Sequence, residues 1–516
     1  MKRILFINAL ILIVTSFLFN TVGITFRVYL SNHIGTEGMG LFQLIISIYM
    51  MATLFVVNGI NIAVTRLVAE EGGRKSFSVS RALLIKAFSI SFLFSIPAFS
   101  FLFFGAEYIG TEWLHDTRTI FSLKLLAAGM PFMGISSCIK GYFNAVIKLL
   151  RPAVAQAIEL IIQIVVIMSI LDYFMSGGLE YACAAIVLGI TIAELSSCLF
   201  LLTLYWLEKN KNDSLISEIF YQRRVLKKLL YIALPISASS LMRSGLKALE
   251  NIMIPIGFVK FGYSRKLSLE EYGKIQGMVM PILLFPASIL LAFSTLLIPE
   301  ISEAIALKHH KRVNYSVTRA LQLTFLMSIL VSGIFFIYSK DLGVSIYNSE
   351  ECGVMMKILA PIVPVIYLDI VVDEFLKGLN QQVSSLKYNM LDAAIRIVLI
   401  YYLIPLKGVP GFIFVLYVSN ILNTGLSIQR LLRVTKVKFR LMDWIIKPIL
   451  SVSACGFIVI YILDKVGFGY LPHMVCLILG VTFVCSLYVF LLILLNCITQ
   501  DDIKWFLLFF NFAFKS

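Results

Sequence analysis

Long apolar runs, separated by short polar stretches, recur along the whole chain. About fourteen windows hold roughly 20 predominantly apolar residues each, which is the length that a helix needs to cross the hydrocarbon core of a bilayer. The windows are 4–26, 39–62, 82–105, 119–139, 153–171, 181–206, 229–256, 278–299, 318–338, 355–376, 386–404, 410–429, 445–463 and 472–495. The pattern predicts an all-α polytopic membrane protein with about 14 transmembrane helices.

Composition excludes a soluble protein. Apolar residues make up 59% of the 516 residues and charged residues only 14%, whereas soluble chains carry about 25% charged residues. No G-x-x-x-x-G-K-[ST] or H-E-x-x-H motif occurs, and no polar segment is long enough for a catalytic domain. We therefore expect a membrane protein that is not an enzyme. The eight cysteines include no C-x-x-C pair, so no metal site is predicted.

The net charge of +15 is interpreted as membrane topology and not as affinity for nucleic acid. Lys and Arg are concentrated in alternate loops, with roughly 30 in the predicted inner segments and 11 in the outer ones, as the positive-inside rule describes. The distribution predicts a multi-pass protein of the cytoplasmic membrane with both termini in the cytoplasm.

A sparse internal repeat occurs at an offset of 233 residues. The matching pairs are Gly40 with Gly273, Gln43 with Gln276, Glu70 with Glu303, Lys124 with Lys357, Leu126 with Leu359, Ala127 with Ala360 and Pro131 with Pro364. The repeat unit contains six predicted helices, an even number, so the two copies run in parallel. Transporters with such repeats bind substrate between the two halves.

The repeat divides the chain into four predicted parts. These are an N-terminal lobe of six helices (1–206), a cytoplasmic linker (207–228), a C-terminal lobe of six helices (229–433), and two further helices with a short amphipathic tail (434–516). The expected architecture is two six-helix lobes plus two C-terminal helices.

Ionisable residues inside the predicted spans are candidates for function, because their burial in lipid is costly. Arg243, Lys247 and Glu250 have i, i+4, i+7 spacing and so lie on one face of the seventh helix. Such cations suit an anionic substrate group, and arginine binds phosphate in a bidentate manner. The alternative is that Glu250 neutralises Lys247 at an interface between the lobes.

Three further polar residues are candidates for the same anion-binding cavity. Arg27 lies at the end of the first predicted helix, Arg66 at the end of the second, and Asn20 within the first. Both arginines could instead extend to the lipid headgroups. Arg27 is predicted near the outer face, where other positive charges are scarce.

Acidic residues within spans are candidates for binding a coupling ion, either H⁺ or Na⁺; no other cofactor is predicted. They are Glu159, Glu194, Glu250 and Asp369. Asp392 and Arg396 have i, i+4 spacing on one helix, which favours a structural ion pair.

Three long motifs carry a resemblance to a known family. They are GTEGMGLFQ at 35–43 with AVTRLVAE at 63–70, SSLMRSGLKALENIMIP at 239–255, and KGYFNAVIKLLRP at 140–152. In these stretches the chain resembles the stage V sporulation protein B branch of the polysaccharide transporter family, within the multidrug/oligosaccharidyl-lipid/polysaccharide (MOP) flippase superfamily. Two residues depart from the pattern: Ser47 stands where relatives often have proline, and Ile256 where they have arginine.

The resemblance implies a fold of two six-helix lobes arranged in a V, often with two added helices. It also implies movement of lipid-linked sugars for spore-cortex peptidoglycan, with arginines of a central cavity against the pyrophosphate. The implied partners are membrane lipids, the lipid-linked sugar and cell-wall synthesis enzymes. The expected function is a flippase for undecaprenyl-pyrophosphate sugars such as lipid II. The rival hypotheses are a cation-coupled multidrug antiporter and a membrane scaffold without transport activity.

Overall fold

The computed structural model describes residues 2–72, 77–208, 219–437, 439–466 and 473–498, and within these ranges the regular structure is helical, with no strand. The α-helices are α1 (Lys2–Gly72), α2 (Phe77–Phe103), α3 (Ala106–Tyr108), α4 (Ile120–Ala127), α5 (Met130–Ala145), α6 (Leu150–Met175), α7 (Leu179–Glu208), α8 (Ile219–Phe261), α9 (Arg265–Tyr272), α10 (Met280–Leu284), α11 (Ala287–Ala306), α12 (His310–Ile337), α13 (Ser339–Tyr347), α14 (Glu350–Leu359), α15 (Val363–Gly378), α16 (Gln382–Thr435), α17 (Lys447–Val466) and α18 (His473–Leu494). Short π-helical segments (Ile109–Trp113, Gly273–Val279, Met442–Ile446) and 3₁₀ turns (Thr117–Thr119, Ala360–Ile362) connect several of them.

The predicted all-helical membrane class is confirmed. In the described ranges, eleven helices are long and apolar enough to cross a membrane, and twelve if the bent pair α4–α5 counts as one span. The predicted linker falls partly, and the C-terminal tail largely, outside the described residues. The count of about 14 spans stays a prediction.

Two helices are long enough to contain two predicted spans each. The apolar part of α1 covers 56 residues, which would rise about 84 Å if straight, far more than a bilayer core of ~30 Å. Gly35 interrupts α1 at φ 68°, and Gly408 interrupts α16 at φ 60°. Both angles lie in the left-handed region that glycine adopts without steric cost. In each helix a single glycine therefore makes the break where the sequence predicts a loop.

The helix breaks recur at repeat-related positions. The α4–α5 pair bends by 46° between Ala127 and Met130, and the 3₁₀ turn that starts at Ala360 interrupts the matching pair α14–α15. A similar hydroxyl contact occurs in each half, four residues or about one helical turn out of register with the 233-residue offset: Thr65 Oγ1 donates to the carbonyl oxygen of Gly141 at 3.1 Å, and Ser302 Oγ donates to that of Gly378 at 3.1 Å. These matches are what a parallel repeat predicts.

The N-terminal and C-terminal halves, as the two predicted repeat copies (1–206 and 229–433) are called here, meet backbone to backbone at Gly40 and Gly273. A Cβ on Gly40 would lie 2.2 Å from the carbonyl oxygen of Leu269, and a Cβ on Gly273 would lie 2.0 Å from that of Thr36 and 2.5 Å from the nitrogen of Gly40. Only glycine permits this approach. Because Gly40 and Gly273 are also repeat mates, the contact relates equivalent positions of the two halves, as at a two-fold axis.

Polar contacts join the halves around this glycine pair, at the end that the predicted topology places outside, here called the outer end. Arg265 on α9 donates to the carbonyl oxygen of Leu114, and its Nε lies 4.0 Å from Asp116 Oδ2. Burial lowers the pKa of Arg265, and the nearby Asp116 carboxylate opposes that shift. Asn32 donates to the carbonyl oxygen of Ile346 at 3.0 Å. The outer end is therefore closed.

A second seam between the halves runs along α1 and α8. Asn251 Nδ2 donates to Ser47 Oγ at 2.7 Å, and Asn58 Nδ2 donates to Ser240 Oγ at 3.1 Å. A Cβ on Gly59 would lie 2.3 Å from the carbonyl oxygen of Ala233, so the backbones are close there. Small residues and cross-helix hydrogen bonds are the usual means of packing membrane helices. Ser47, which departs from the family's proline, supplies one of these bonds.

Candidate functional site

The charged face of α8 contains a cation that is already neutralised. Lys247 Nζ lies 2.9 Å from Glu250 Oε1; the Glu250 side chain is 5% exposed and that of Lys247 is 51% exposed. Glu250 Oε1 also lies 3.3 Å from Arg396 Nη1 on α16. Lys247 and Glu250 thus pair with each other as the alternative describes, but through Arg396 they join α8 to α16 within the predicted C-terminal lobe and do not join the two lobes.

Arg396 joins two buried carboxylates. Its Nη2 lies 2.7 Å from Asp392 Oδ2, on one helix as the spacing predicts, and its Nε donates to Ser419 Oγ at 2.8 Å. Ser419 in turn donates to Asp392 Oδ1. Since Arg396 also contacts Glu250, one guanidinium faces two carboxylates in a largely dry environment, where unpaired charges are expensive.

Arg243 and Arg27 keep their positive charge uncompensated. Arg243 is exposed on α8, and Arg27 is half-buried on α1 near the outer end. Within the described ranges neither side chain makes an ion pair or a hydrogen bond. The phenol of Tyr347 interacts electrostatically with Arg27. The two arginines make no contact with each other, but they lie on the two helices that join the halves.

The other two anion-site candidates are exposed. Arg66 Nε lies 2.9 Å from Glu70 Oε1, and both side chains are largely in solvent. Asn20 is also exposed. The structure therefore separates Arg66 and Asn20 from the buried polar groups and places Arg66 in a surface ion pair.

Acidic and amide side chains form a chain of contacts between α15 and α16. Asn423 Nδ2 donates to Asp369 Oδ2 and to Asn389 Oδ1, both at 3.0 Å. Ser385 donates to Asp373 Oδ1, and Lys377 Nζ lies 3.4 Å from Asp373 Oδ2. Asp369 is thus embedded in a hydrogen-bonded network of the C-terminal half.

The N-terminal half contains two candidates for ion binding. Glu194 on α7 is buried, and its Oε1 contacts the hydroxyl of Tyr49. Glu159 on α6 is half-buried and lies 3.4 Å from Lys140 Nζ. Glu159 therefore has a cation beside it, whereas Glu194 has a neutral partner.

Sequence reasoning missed several residues of these networks. Ser419, Asn423 and Asn389 are polar residues within predicted spans, a signal that we applied only to ionisable groups. Tyr49 also lies within a predicted span, and its hydroxyl was missed for the same reason. Across the described residues, no group of three or more His, Cys, Asp or Glu side chains is placed to hold a metal ion, and the coupling ion stays a prediction.

An apolar groove lies in the C-terminal half between α12, α15, α16 and α17. Its volume is about 920 Å³, and its walls include the rings of Phe325, Phe336, Phe439 and Phe457. Lys357 lies at the same groove with its Nζ 5.2 Å from the centre of the Phe336 ring, a cation–π contact. The groove combines a long apolar surface with one cation.

Comparison with known proteins supports the resemblance that the motifs predict. Residues 5–256 match the family described as polysaccharide biosynthesis protein. The chain is 25% identical to stage V sporulation protein B of Bacillus subtilis (strain 168) over 504 residues, which covers 96% of each chain. It is 21% identical to lipid II flippase MurJ of the same organism over 448 residues, 81% of each chain.

Solved structures show the same fold. A structure of lipid II flippase MurJ in an inward closed conformation matches with a TM-score of 0.70 at 15% identity, covering 93% of this chain and 98% of that one. An inward-facing multidrug resistance MATE family transporter of the MOP superfamily matches with a TM-score of 0.62 at 14% identity, covering 81% and 96%. The chain is thus a multi-pass membrane protein with the fold of these two solved structures, which are named a flippase and a transporter.

Proposed function

From a chain that resembles the polysaccharide biosynthesis proteins and has the fold of the MOP superfamily, we propose a flippase for lipid-linked oligosaccharides. The leading substrate is an undecaprenyl-pyrophosphate sugar such as lipid II, which the name of one relative specifies. The similarity to stage V sporulation protein B supports a role in spore-cortex peptidoglycan synthesis. Cell-wall synthesis enzymes are the proposed partners.

The observation that carries the proposal is the uncompensated charge of Arg243 and Arg27. Lys247 and Arg396 are each held by carboxylates, so their charge is already offset. Arg243 and Arg27 lack such a partner among the described residues and are free to bind an anion. A pyrophosphate offers several oxygens, which suit the planar donor fork of a guanidinium.

The apolar groove of the C-terminal half suits the tail of the same substrate. A polyprenyl chain gains no specific contacts from lipid, but a groove lined by Phe325, Phe336 and Phe457 orders part of it beside the protein. Lys357 at the groove adds a positive charge beside these rings. Groove and arginines together match a molecule that is apolar at one end and anionic at the other.

The proposed cycle is alternating access between two lobes. With both termini in the cytoplasm, the headgroup enters from the inner side while the outer end is closed, and Arg243 and Arg27 bind its phosphates. The lobes then rock about their contact and release the headgroup outside, while the tail stays in lipid. H⁺ or Na⁺ is the proposed coupling ion.

The test is flipping of fluorescent lipid II in proteoliposomes by wild type, Arg243→Ala and Arg27→Ala. We expect rapid flipping by wild type and at least a tenfold loss in each variant, which corresponds to about 1.4 kcal/mol of lost binding. Arg66→Ala is the matched control, because Arg66 is exposed and paired with Glu70.

Each other outcome points to a different function. Folded wild-type protein that exports a cationic dye and leaves lipid II in place would identify the multidrug antiporter, whose fold is the same. Folded protein that moves neither would favour a scaffold for cell-wall enzymes. Flipping that survives both arginine substitutions would keep the function and reject the assigned anion site.

A further inference from the structure

Glu194 is a buried carboxyl group without a cation in contact. It lies on α7, is 5% exposed, and one of its oxygens, Oε1, contacts the hydroxyl of Tyr49 on α1. The other oxygen, Oε2, is buried and has no hydrogen-bond partner among the described residues. Buried ionised carboxylates are rarely left in this condition, because desolvation of the charge is not repaid.

The unpartnered oxygen is aimed at the break between α4 and α5. A Cβ on Gly129 would lie 2.5 Å from Glu194 Oε2, so the carboxyl group occupies space that only a glycine leaves free. Gly129 directly precedes α5, and the amino end of a helix favours negative charge. Oε2 nevertheless accepts no hydrogen bond from a backbone N–H there. The favourable effect of the helix end on a negative charge is therefore weaker than the cost of burying that charge.

Few other charged groups face Glu194. Lys140 on α5 and Glu159 on α6 act on it electrostatically from further away, and they pair with each other at 3.4 Å. Their opposite charges largely cancel at Glu194. No charged residue of α1 contacts this carboxyl group within the described part of the chain.

The contacts of Tyr49 show how little of the charge of an ionised Glu194 would be offset. Its hydroxyl oxygen touches Glu194 Oε1 and also lies 3.1 Å from the sulfur of Met133. A phenol has one proton to donate, so it cannot serve a carboxylate and a thioether together. Thr53 Oγ1 donates to the same sulfur at 3.6 Å, so the phenol proton goes to Glu194 Oε1. One neutral donor does not offset a buried negative charge, and the neutral acid is therefore favoured.

We propose that Glu194 is a proton-binding site of the N-terminal half, protonated in this conformation and emptied when the α4–α5 bend moves. On release the O–H bond of the acid breaks, the carboxylate keeps the electron pair, and the proton passes to water. Tyr49 and Gly129 are positioning residues for this group. Proton binding stands on this geometry alone, and only its link to transport rests on the proposed function.

The direct test is infrared spectroscopy of the full-length protein in lipid bilayers at neutral pH. We expect the carbonyl stretching band of a protonated carboxylic acid in wild type, lost in Glu194→Gln and kept in Glu159→Gln, whose site has Lys140 beside it. Tyr49→Phe removes the hydrogen bond that Oε1 accepts and should shift the band to higher frequency. Identical spectra for wild type and Glu194→Gln would overturn the proposal.

Thermal unfolding gives an independent readout. Glutamine has the shape of the neutral acid and its amide oxygen can accept from Tyr49, so Glu194→Gln should unfold within a few degrees of wild type. A large loss of stability in Glu194→Gln would show that the carboxylate is ionised there and would contradict the proposal. If Glu194→Gln fails to fold, the band shift in Tyr49→Phe still tests whether Glu194 is protonated.

The transport arm separates this inference from the proposed function. In proteoliposomes that flip lipid II, the rate should change with pH for wild type and lose that dependence in Glu194→Gln. A Glu194 band in a protein that never flips lipid II would support the proton site and reject the function. Flipping of lipid II by a protein that lacks the Glu194 band would support the proposed function and reject the proton site.

Discussion

At the scale of single residues, charge balance separates structural from functional cations. Arg396 faces Glu250 and Asp392 at 3.3 and 2.7 Å, and a cation in such contacts holds helices together. Arg243 and Arg27 have no such carboxylates in the described ranges. The same residue type thus has two roles, and its partners decide which.

Removal of the Arg396 side chain should destabilise the protein severely. In Arg396→Ala the buried Asp392 loses its cation and Glu250 keeps only Lys247, and breaking a buried pair costs about 3–5 kcal/mol. The measurement is the midpoint of thermal unfolding in detergent. Arg66→Ala, at an exposed pair, is the control and should cost at most about 1 kcal/mol. Equal shifts for the two variants would contradict this account.

Spacing along one helix predicted only part of this network. Asp392 and Arg396 share a face at i, i+4, so their pairing follows from helix geometry. Glu250 lies on α8 and Ser419 follows the Gly408 break, so their approach to Arg396 depends on tertiary packing. Periodicity carries no information about which face of one helix meets another. The sequence therefore did not predict that Arg396 contacts Glu250 and Ser419 as well as Asp392.

At the scale of helices, a single glycine breaks each of the two long helices α1 and α16. Apolar windows located the spans, because a bilayer core demands about 20 apolar residues whatever the fold. The apolar windows predicted a loop at 27–38, because hydropathy does not report whether a polar stretch is helical. In the structure α1 continues through this stretch, and only the backbone of Gly35 leaves the helix. The sequence alone does not distinguish a glycine inside a continuous helix from a glycine at a helix break.

Substitution of Gly35 should therefore be costly although space is available. A Cβ at Gly35 would meet nothing within 4 Å, but φ 68° with ψ −174° is a region that other residues avoid. We expect Gly35→Ala to lose about 1–3 kcal/mol of stability, measured by thermal unfolding.

The control lies on the same helix. A Cβ on Gly23 would also meet nothing within 4 Å, and Gly23 has helical backbone angles, so Gly23→Ala should be neutral or gain up to about 1 kcal/mol. A loss at Gly23 as large as that at Gly35 would show that backbone strain at the break is not the cause.

At the scale of the whole molecule, closure of the outer end depends on the contact between Gly40 and Gly273. In Gly40→Ala the new methyl group would lie 2.2 Å from the carbonyl oxygen of Leu269, and backbone cannot give way as a side chain can. We expect the halves to separate there. Hydrogen exchange of the amides in 36–41 and 269–277 should rise at least tenfold.

The control for this experiment is Gly425→Ala, because a Cβ on Gly425 would meet nothing within 4 Å. Its amide exchange at the outer end should match wild type. Unchanged exchange in both Gly40→Ala and Gly273→Ala would mean that this contact does not hold the outer end closed.

Membrane orientation gives a further prediction for the whole chain. Lys266 and Lys308 are both exposed, and the positive-inside rule places Lys266 outside and Lys308 inside. In a background without native cysteines, Lys266→Cys should react with an impermeant maleimide on intact cells, and Lys308→Cys only after permeabilisation. The opposite pattern would invert the predicted topology.

The contact between Gly40 and Gly273 also bears on ancestry. A residue that touches its own repeat mate makes a contact that two identical chains can make as well. A six-helix ancestor with one such glycine would have closed its outer end as a homodimer, before any duplication joined the copies. Fusion of two such copies would keep the glycine pair in place and free the remaining positions of each half to diverge, as expected for a repeat that is visible at few positions besides the contact itself.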